Sequence, residues 1–133
     1  MNEAQHRDVP VVWLDAPAAT SGPAVVVWSR HEHSVAEAEA LAGRGVDVVL
    51  TAGAAPVTAW WGGARVVVHP PAVTARDATG AGDVFAAAVA FGMASGWSAD
   101  RILRNAAAAG AAGAAADRGD PPTLADIAAL LDR

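Results

Sequence analysis

The chain has 133 residues, of which 53% are hydrophobic, carries a net charge of −5, and contains no cysteine; its nine basic side chains are all arginines. That length fits one domain spanning 1–133, and the acidic balance argues against a nucleic-acid partner, which would need clustered positive charge. Without lysine there is no P-loop phosphate lysine and no Schiff-base nucleophile, and without cysteine there is no disulfide, thiolate zinc site or thiol catalysis.

The first eight residues, MNEAQHRD, are polar and do not read as a signal peptide. No apolar run reaches the ~18–20 residues of a membrane span. The expectation is a cytoplasmic protein with no membrane partner.

Val9–Leu14 (VPVVWL) and Ala24–Trp28 (AVVVW) read as short buried strands. Ser34–Ala42 reads as a helix, with Ser34 and Glu37 forming a capping box and Gly43 and Gly45 marking its end. Val46–Thr51 is a third strand. Val57–Trp61 and Arg65–His69 flank Gly62-Gly63, the pattern of a hairpin; Trp60 and Trp61 are expected to pack or to lie at an edge. After a loop, a helix is expected over roughly Asp83–Ser95 and a second over Ser98–Asp117. Gly110 and Gly113 share one face of the second helix, which permits close backbone approach. Thr123–Leu131, capped by Thr123 with Asp126, is the last helix. Alternating strands and helices, with several continuously apolar strands, predict a three-layer α/β fold: a mostly parallel sheet flanked by helices.

One stretch carries chemistry: Arg76–Gly92, RDATGAGDVFAAAVAFG. Gly80-Ala81-Gly82 stands where a loop enters a helix. A helix N-terminus offers unpaired N–H groups and a positive dipole end, and glycines let that backbone approach an anion. Asp83 beside it is placed either to cap the helix or to accept a proton from a hydroxyl while the amides stabilise a transferring phosphoryl group. A dinucleotide-binding loop fits less well, because Phe85 stands where a third glycine is needed and no strand directly precedes the loop.

The longer string DATGAGDVF, Asp77–Phe85, resembles the D-T-x-G-A-G-D-x-F signature of ribokinase-like, or PfkB-family, carbohydrate kinases, with Ala78 in place of the usual Thr. LDAPAAT (Leu14–Thr20), VVLTAG (Val48–Gly53), GWSADRIL (Gly96–Leu103), Gly119 and PPTLADI follow the family order, so the resemblance runs from about Val9 to the end. It implies a truncated ribokinase-like fold, the nucleotide-binding C-terminal half, with the N-terminal half and lid absent. It implies an ATP-dependent kinase acting on a sugar or nucleoside hydroxyl, with Asp83 as base and Gly80, Ala81 and Gly82 as anion hole. Thr51 and Gly53 would line the nucleotide site, Glu32 would serve Mg2+, and Asp77 and Thr79 would serve a monovalent cation such as K+.

The chain departs from the family pattern at three places. Ser29 replaces Asn in the N-x-x-E motif, Pro56 replaces a glycine near the phosphates, and Ala107 stands where a helical Asn faces adenine, with Asn105 two residues earlier. The His31-Glu32-His33 run lacks a third ligand and does not read as a zinc site. These departures also admit a second reading, a degenerate, non-catalytic remnant that binds a nucleotide or a protein. A homodimer or a partner chain covering the open sheet is the expected assembly.

Overall fold

The computed structural model describes residues 11–13, 24–76, 80–116 and 122–131. Five strands form one sheet in the order β1-β2-β3-β4-β5: β1 Val11–Trp13, β2 Ala24–Ser29, β3 Asp47–Thr51, β4 Val57–Trp61 and β5 Ala64–Val68. β1, β2 and β3 pair in parallel, whereas β4 pairs antiparallel with both β3 and β5, so β4 alone of the five runs the other way. The sheet is therefore mixed, because the hairpin supplies half of its pairings. Gly62 and Gly63 have φ of 60° and 81°, the left-handed pair that a two-residue hairpin turn demands, and Asp47 Oδ1 accepts the Gly62 N–H at 3.0 Å.

Helices cover both faces. Helix α1 (Val35–Ala42) lies on one, while α2 (Ala81–Ala94) and α3 (Ala99–Ala115) lie on the other. Strand alternation sorts the core between them. Val25, Val27 and Val49 point to Phe85, Val89, Ile102 and Leu103, and Val26, Trp28, Val48 and Leu50 point to Ala38 and Leu41. Trp61 packs against the first cluster and Trp60 against the second. Side chains such as Leu50 and Leu103, both fully buried, each contribute about 1.5–3 kcal/mol by burial.

Three of the predicted helix starts hold. Ser34 and Glu37 make the reciprocal capping box, Ser98 Oγ accepts the Arg101 N–H, and Thr123 and Asp126 cap helix α4 (Leu124–Leu131) in the same reciprocal way. Among the described residues no helix is long and apolar enough to cross a membrane.

Candidate active site

Helix α2 begins two residues before the expected Asp83. Its N-cap is Gly80, at φ 83°, a left-handed conformation that glycine takes without strain. Val84 N–H donates to Gly80 O at 3.0 Å, the first rung of the helix. The amides of Ala81, Gly82 and Asp83 precede that rung and have no intrahelical acceptor. Among the described residues no side chain caps them, in contrast to the hydroxyl caps of α1, α3 and α4. A Cβ built on Gly82 would meet nothing within 4 Å, so the backbone here borders open space.

Asp83 is in the first turn of α2 and exposed. Its carboxylate has no hydrogen bond or ion pair among the described residues, so it is not the cap of its own helix. It stands exposed beside a positive helix end.

Close packing fixes this turn. Cβ atoms built on Gly110 and Gly113 would lie 3.6 Å from Ala81 O and 3.4 Å from Val84 Cγ2. The shared glycine face of α3 thus seats the first turn of α2 directly. Just before the loop, Arg76 N–H donates to Ala114 O at 2.8 Å, tying the incoming chain to the same helix.

A second group of candidates lies at the carboxyl ends of β2 and β3, the edge where open α/β sheets bind ligands. Ser29 and Thr51 are register partners. Thr51 Oγ1 donates to Trp28 O at 3.3 Å, and Arg30 N–H donates to Thr51 O at 2.9 Å. Gly53, at φ 61°, turns the chain out of β3 and is exposed. After β2 the backbone folds on Ser29: its carbonyl accepts the N–H groups of Glu32 and His33 at 3.0 and 2.9 Å, and its Oγ accepts the His31 N–H at 3.1 Å. Glu32 is exposed, and its carboxylate is unengaged among the described residues.

Sequence reasoning did not find what anchors that turn. The His33 ring stacks on the Trp28 indole with centroids 3.8 Å apart and planes 11° from parallel. Its Nδ1 lies 3.1 Å from Glu37 Oε2. That hydrogen bond, with the Ser34 N–H, holds the Glu37 carboxyl below its ordinary pKa. A β-strand residue meeting a loop residue five positions on has no periodic signature, so no pattern in the sequence announces the pair.

Thr51, Gly53 and Glu32 are gathered at one sheet edge, while Gly80–Asp83 are held by a helix that packs against β1. No hydrogen bond joins the two groups among the described residues. Asp77 and Thr79 lie outside the described residues. No three His, Cys, Asp or Glu side chains converge to hold a metal among those described. Pro56 is exposed ahead of β4, Ala107 is buried in the core at 3% exposure, and Asn105 is half-buried. A cavity of about 390 Å³ opens between the end of β5 and α4, lined by Val68, His69, Pro71, Ala72, Arg104, Leu130 and Leu131.

The family model for pfkB family carbohydrate kinases matches residues 24–118. The chain belongs to this family. Comparison with curated protein sequences gives no match. Among solved structures, it is similar to an Escherichia coli protein described as a ribokinase II, with 29% identity and a TM-score of 0.71 over 82% of this chain and 39% of that one. A form of that protein in complex with ATP and Mg2+ matches at 27% identity and a TM-score of 0.71, over 82% of this chain and again 39% of the other. Ribokinase from Thermotoga maritima shares the fold at 22% identity and a TM-score of 0.73, over 82% and 42% of the two chains. The chain thus spans about two fifths of the length of these structures.

Proposed function

We propose that this chain is the nucleotide-binding and catalytic part of a carbohydrate kinase that transfers the γ-phosphoryl group of ATP to a hydroxyl of a sugar or nucleoside. The observation that carries this reading is the start of α2, which no side chain among the described residues caps, with the exposed Asp83 carboxylate in its first turn. Asp83 would take the proton of the substrate hydroxyl as that oxygen attacks the γ-phosphorus. The phosphorus–oxygen bond to ADP then breaks, while the Ala81, Gly82 and Asp83 amides stabilise the transferring charge. Thr51 and Gly53 would border the nucleotide.

Glu32 and the phosphates would hold Mg2+. An exposed, unengaged carboxylate is the hard oxygen donor that this ion takes, one or two at a time, beside phosphate oxygens. The ion, when bound, neutralises phosphate charge. Asp77 and Thr79 are assigned to a monovalent cation by resemblance, in line with the potassium complex of the E. coli phosphofructokinase-2 that shares the fold. A second copy or a partner chain over the open sheet belongs to the same reading, and sedimentation tests it.

The deciding experiment is an ATP-dependent phosphorylation screen over sugars and nucleosides, with Asp83→Asn as control. Turnover that survives this change would remove Asp83 as base. A second reading, a nucleotide-binding module without turnover, is favoured by Ser29, whose Oγ is occupied by the His31 N–H where the family carries Asn. Tight calorimetric binding of ATP and Mg2+ without product would support it.

A further inference from the structure

We propose that His33, clasped between the Trp28 indole and the Glu37 carboxylate, is a positioning residue that fixes the Glu32 carboxylate for the divalent cation of the nucleotide. The inference rests on the kinase-site reading above and extends it to a residue outside the family motif.

Among the described residues the Glu32 carboxylate has no hydrogen bond or ion pair that would aim it. Its orientation therefore depends on the five-residue turn Ser29–His33. The first end of that turn is fixed by β2 and by three N–H groups converging on Ser29. The other end is fixed by the His33 ring, which lies flat on Trp28 at 3.8 Å and reaches Glu37 at 3.1 Å. Trp28 is itself buried: it is 7% exposed and packed in a cluster with Val26, Ala38, Leu41 and Leu50. The same residue also holds the nucleotide side of the site, because its carbonyl accepts the Thr51 hydroxyl. Trp28 thus ties the Glu32 turn to the end of β3 beside the Arg30 N–H bond to Thr51 O, and among the described residues His33 is the ring that stacks on it. Removing the ring frees the turn next to Glu32 while leaving Glu32, Thr51 and the strand pairing in place.

The test is the Mg2+ dependence of binding of a non-hydrolysable ATP analogue, measured by calorimetry on the full chain. Four proteins are compared: wild type, Glu32→Gln, His33→Ala and His33→Phe. A thermal melt of each verifies folding. Groups that orient metal ligands change metal affinity by about 10–100-fold when lost. His33→Ala is expected to raise the Mg2+ midpoint about tenfold at unchanged metal-free nucleotide affinity, and His33→Phe, which keeps the stack, to restore most of the wild-type midpoint. A purely structural role would move both affinities together or neither. An unchanged midpoint in His33→Ala, with a raised one in Glu32→Gln, overturns this proposal and leaves the kinase-site reading standing. An unchanged midpoint in Glu32→Gln removes Glu32 from the metal site and His33 with it. Wild type that binds no analogue at any Mg2+ concentration overturns both readings.

Discussion

A Cβ built on Gly92 would lie 2.7 Å from Cγ1 of Ile102 and 3.3 Å from its Cβ and Cγ2. Gly92 is in α2 and Ile102 in α3, and both are buried, Ile102 to 2% exposure. These atoms belong to the branched stem of Ile102, which cannot swing aside. Gly92→Ala should therefore destabilise the protein by about 1–3 kcal/mol through overpacking, despite the ~1 kcal/mol that alanine gains in a helix interior. Ile102→Ala removes the obstructing carbons at a cost of about 2–5 kcal/mol. Because the sites are in contact, the double variant should lose less than the sum of the two single losses. Urea unfolding of all four proteins checks this, and strict additivity would contradict it.

The second prediction concerns acid pH. The Glu37 carboxyl is held below its ordinary value of 4.5, first by its hydrogen bond to His33 and then by the Ser34 N–H. A depressed folded-state pKa means stability that is fully present above the unfolded value. It is lost as pH falls through the lower folded value. In Glu37→Gln this contribution cannot titrate, so stability should fall less steeply from about pH 5 downward. A chemical-denaturation series across that range measures the slope. Equal slopes in wild type and variant would show that the capping box does not respond to protonation.

The positions of the helices were legible in the sequence because their signals are local. Ser34 with Glu37, Ser98, and Thr123 with Asp126 each mark a start within four residues, and each makes the expected cap. The hairpin was equally readable, since only a left-handed pair such as Gly62-Gly63 closes it. The start of α2 was misplaced by two residues because Gly80 caps through its backbone conformation and leaves no side-chain signature. The α/β sheet flanked by helices was readable from the alternation of elements; the antiparallel pairings of β4 depend on which strand edge the hairpin joins. In the site, the Gly80–Asp83 stretch could be read as a string. The stack of Trp28 and His33 could not, because it depends on where a turn delivers a side chain.

The two glycines of the turn proposed to bind an anion should respond differently to alanine. Gly80 is at φ 83°, where a Cβ costs about 1–2 kcal/mol. Gly80→Ala should lower stability by about that amount. Gly82 is inside the first turn of α2, and a Cβ there meets nothing within 4 Å. Gly82→Ala should leave stability unchanged or raise it by up to ~1 kcal/mol, the helix-propensity difference. The new methyl group would nonetheless stand on the open side where a phosphate must approach the amides. ATP affinity should therefore fall in Gly82→Ala while its melting temperature does not. Unaltered ATP binding in this variant would argue that the phosphates do not lie against this turn.

Asp83→Asn separates chemistry from folding most sharply. The carboxylate is exposed and has no hydrogen-bond partner among the described residues, so only its attraction to the start of the helix is lost, about 0.3–1 kcal/mol. The amide keeps the shape and most of the backbone environment but cannot accept a proton from a hydroxyl. Loss of a general base costs about 10²–10⁴-fold in rate, so kcat should fall by at least ~100-fold with the melting temperature and ATP affinity almost intact. ATP affinity is the discriminating readout, because Asp83 adjoins the amides that would hold the phosphates. If Asp83 acts on the hydroxyl, removing its charge should leave binding unchanged or strengthen it slightly by relieving repulsion with the phosphates. If binding collapsed along with the rate, Asp83 would be holding the nucleotide or its cation rather than the proton of the substrate.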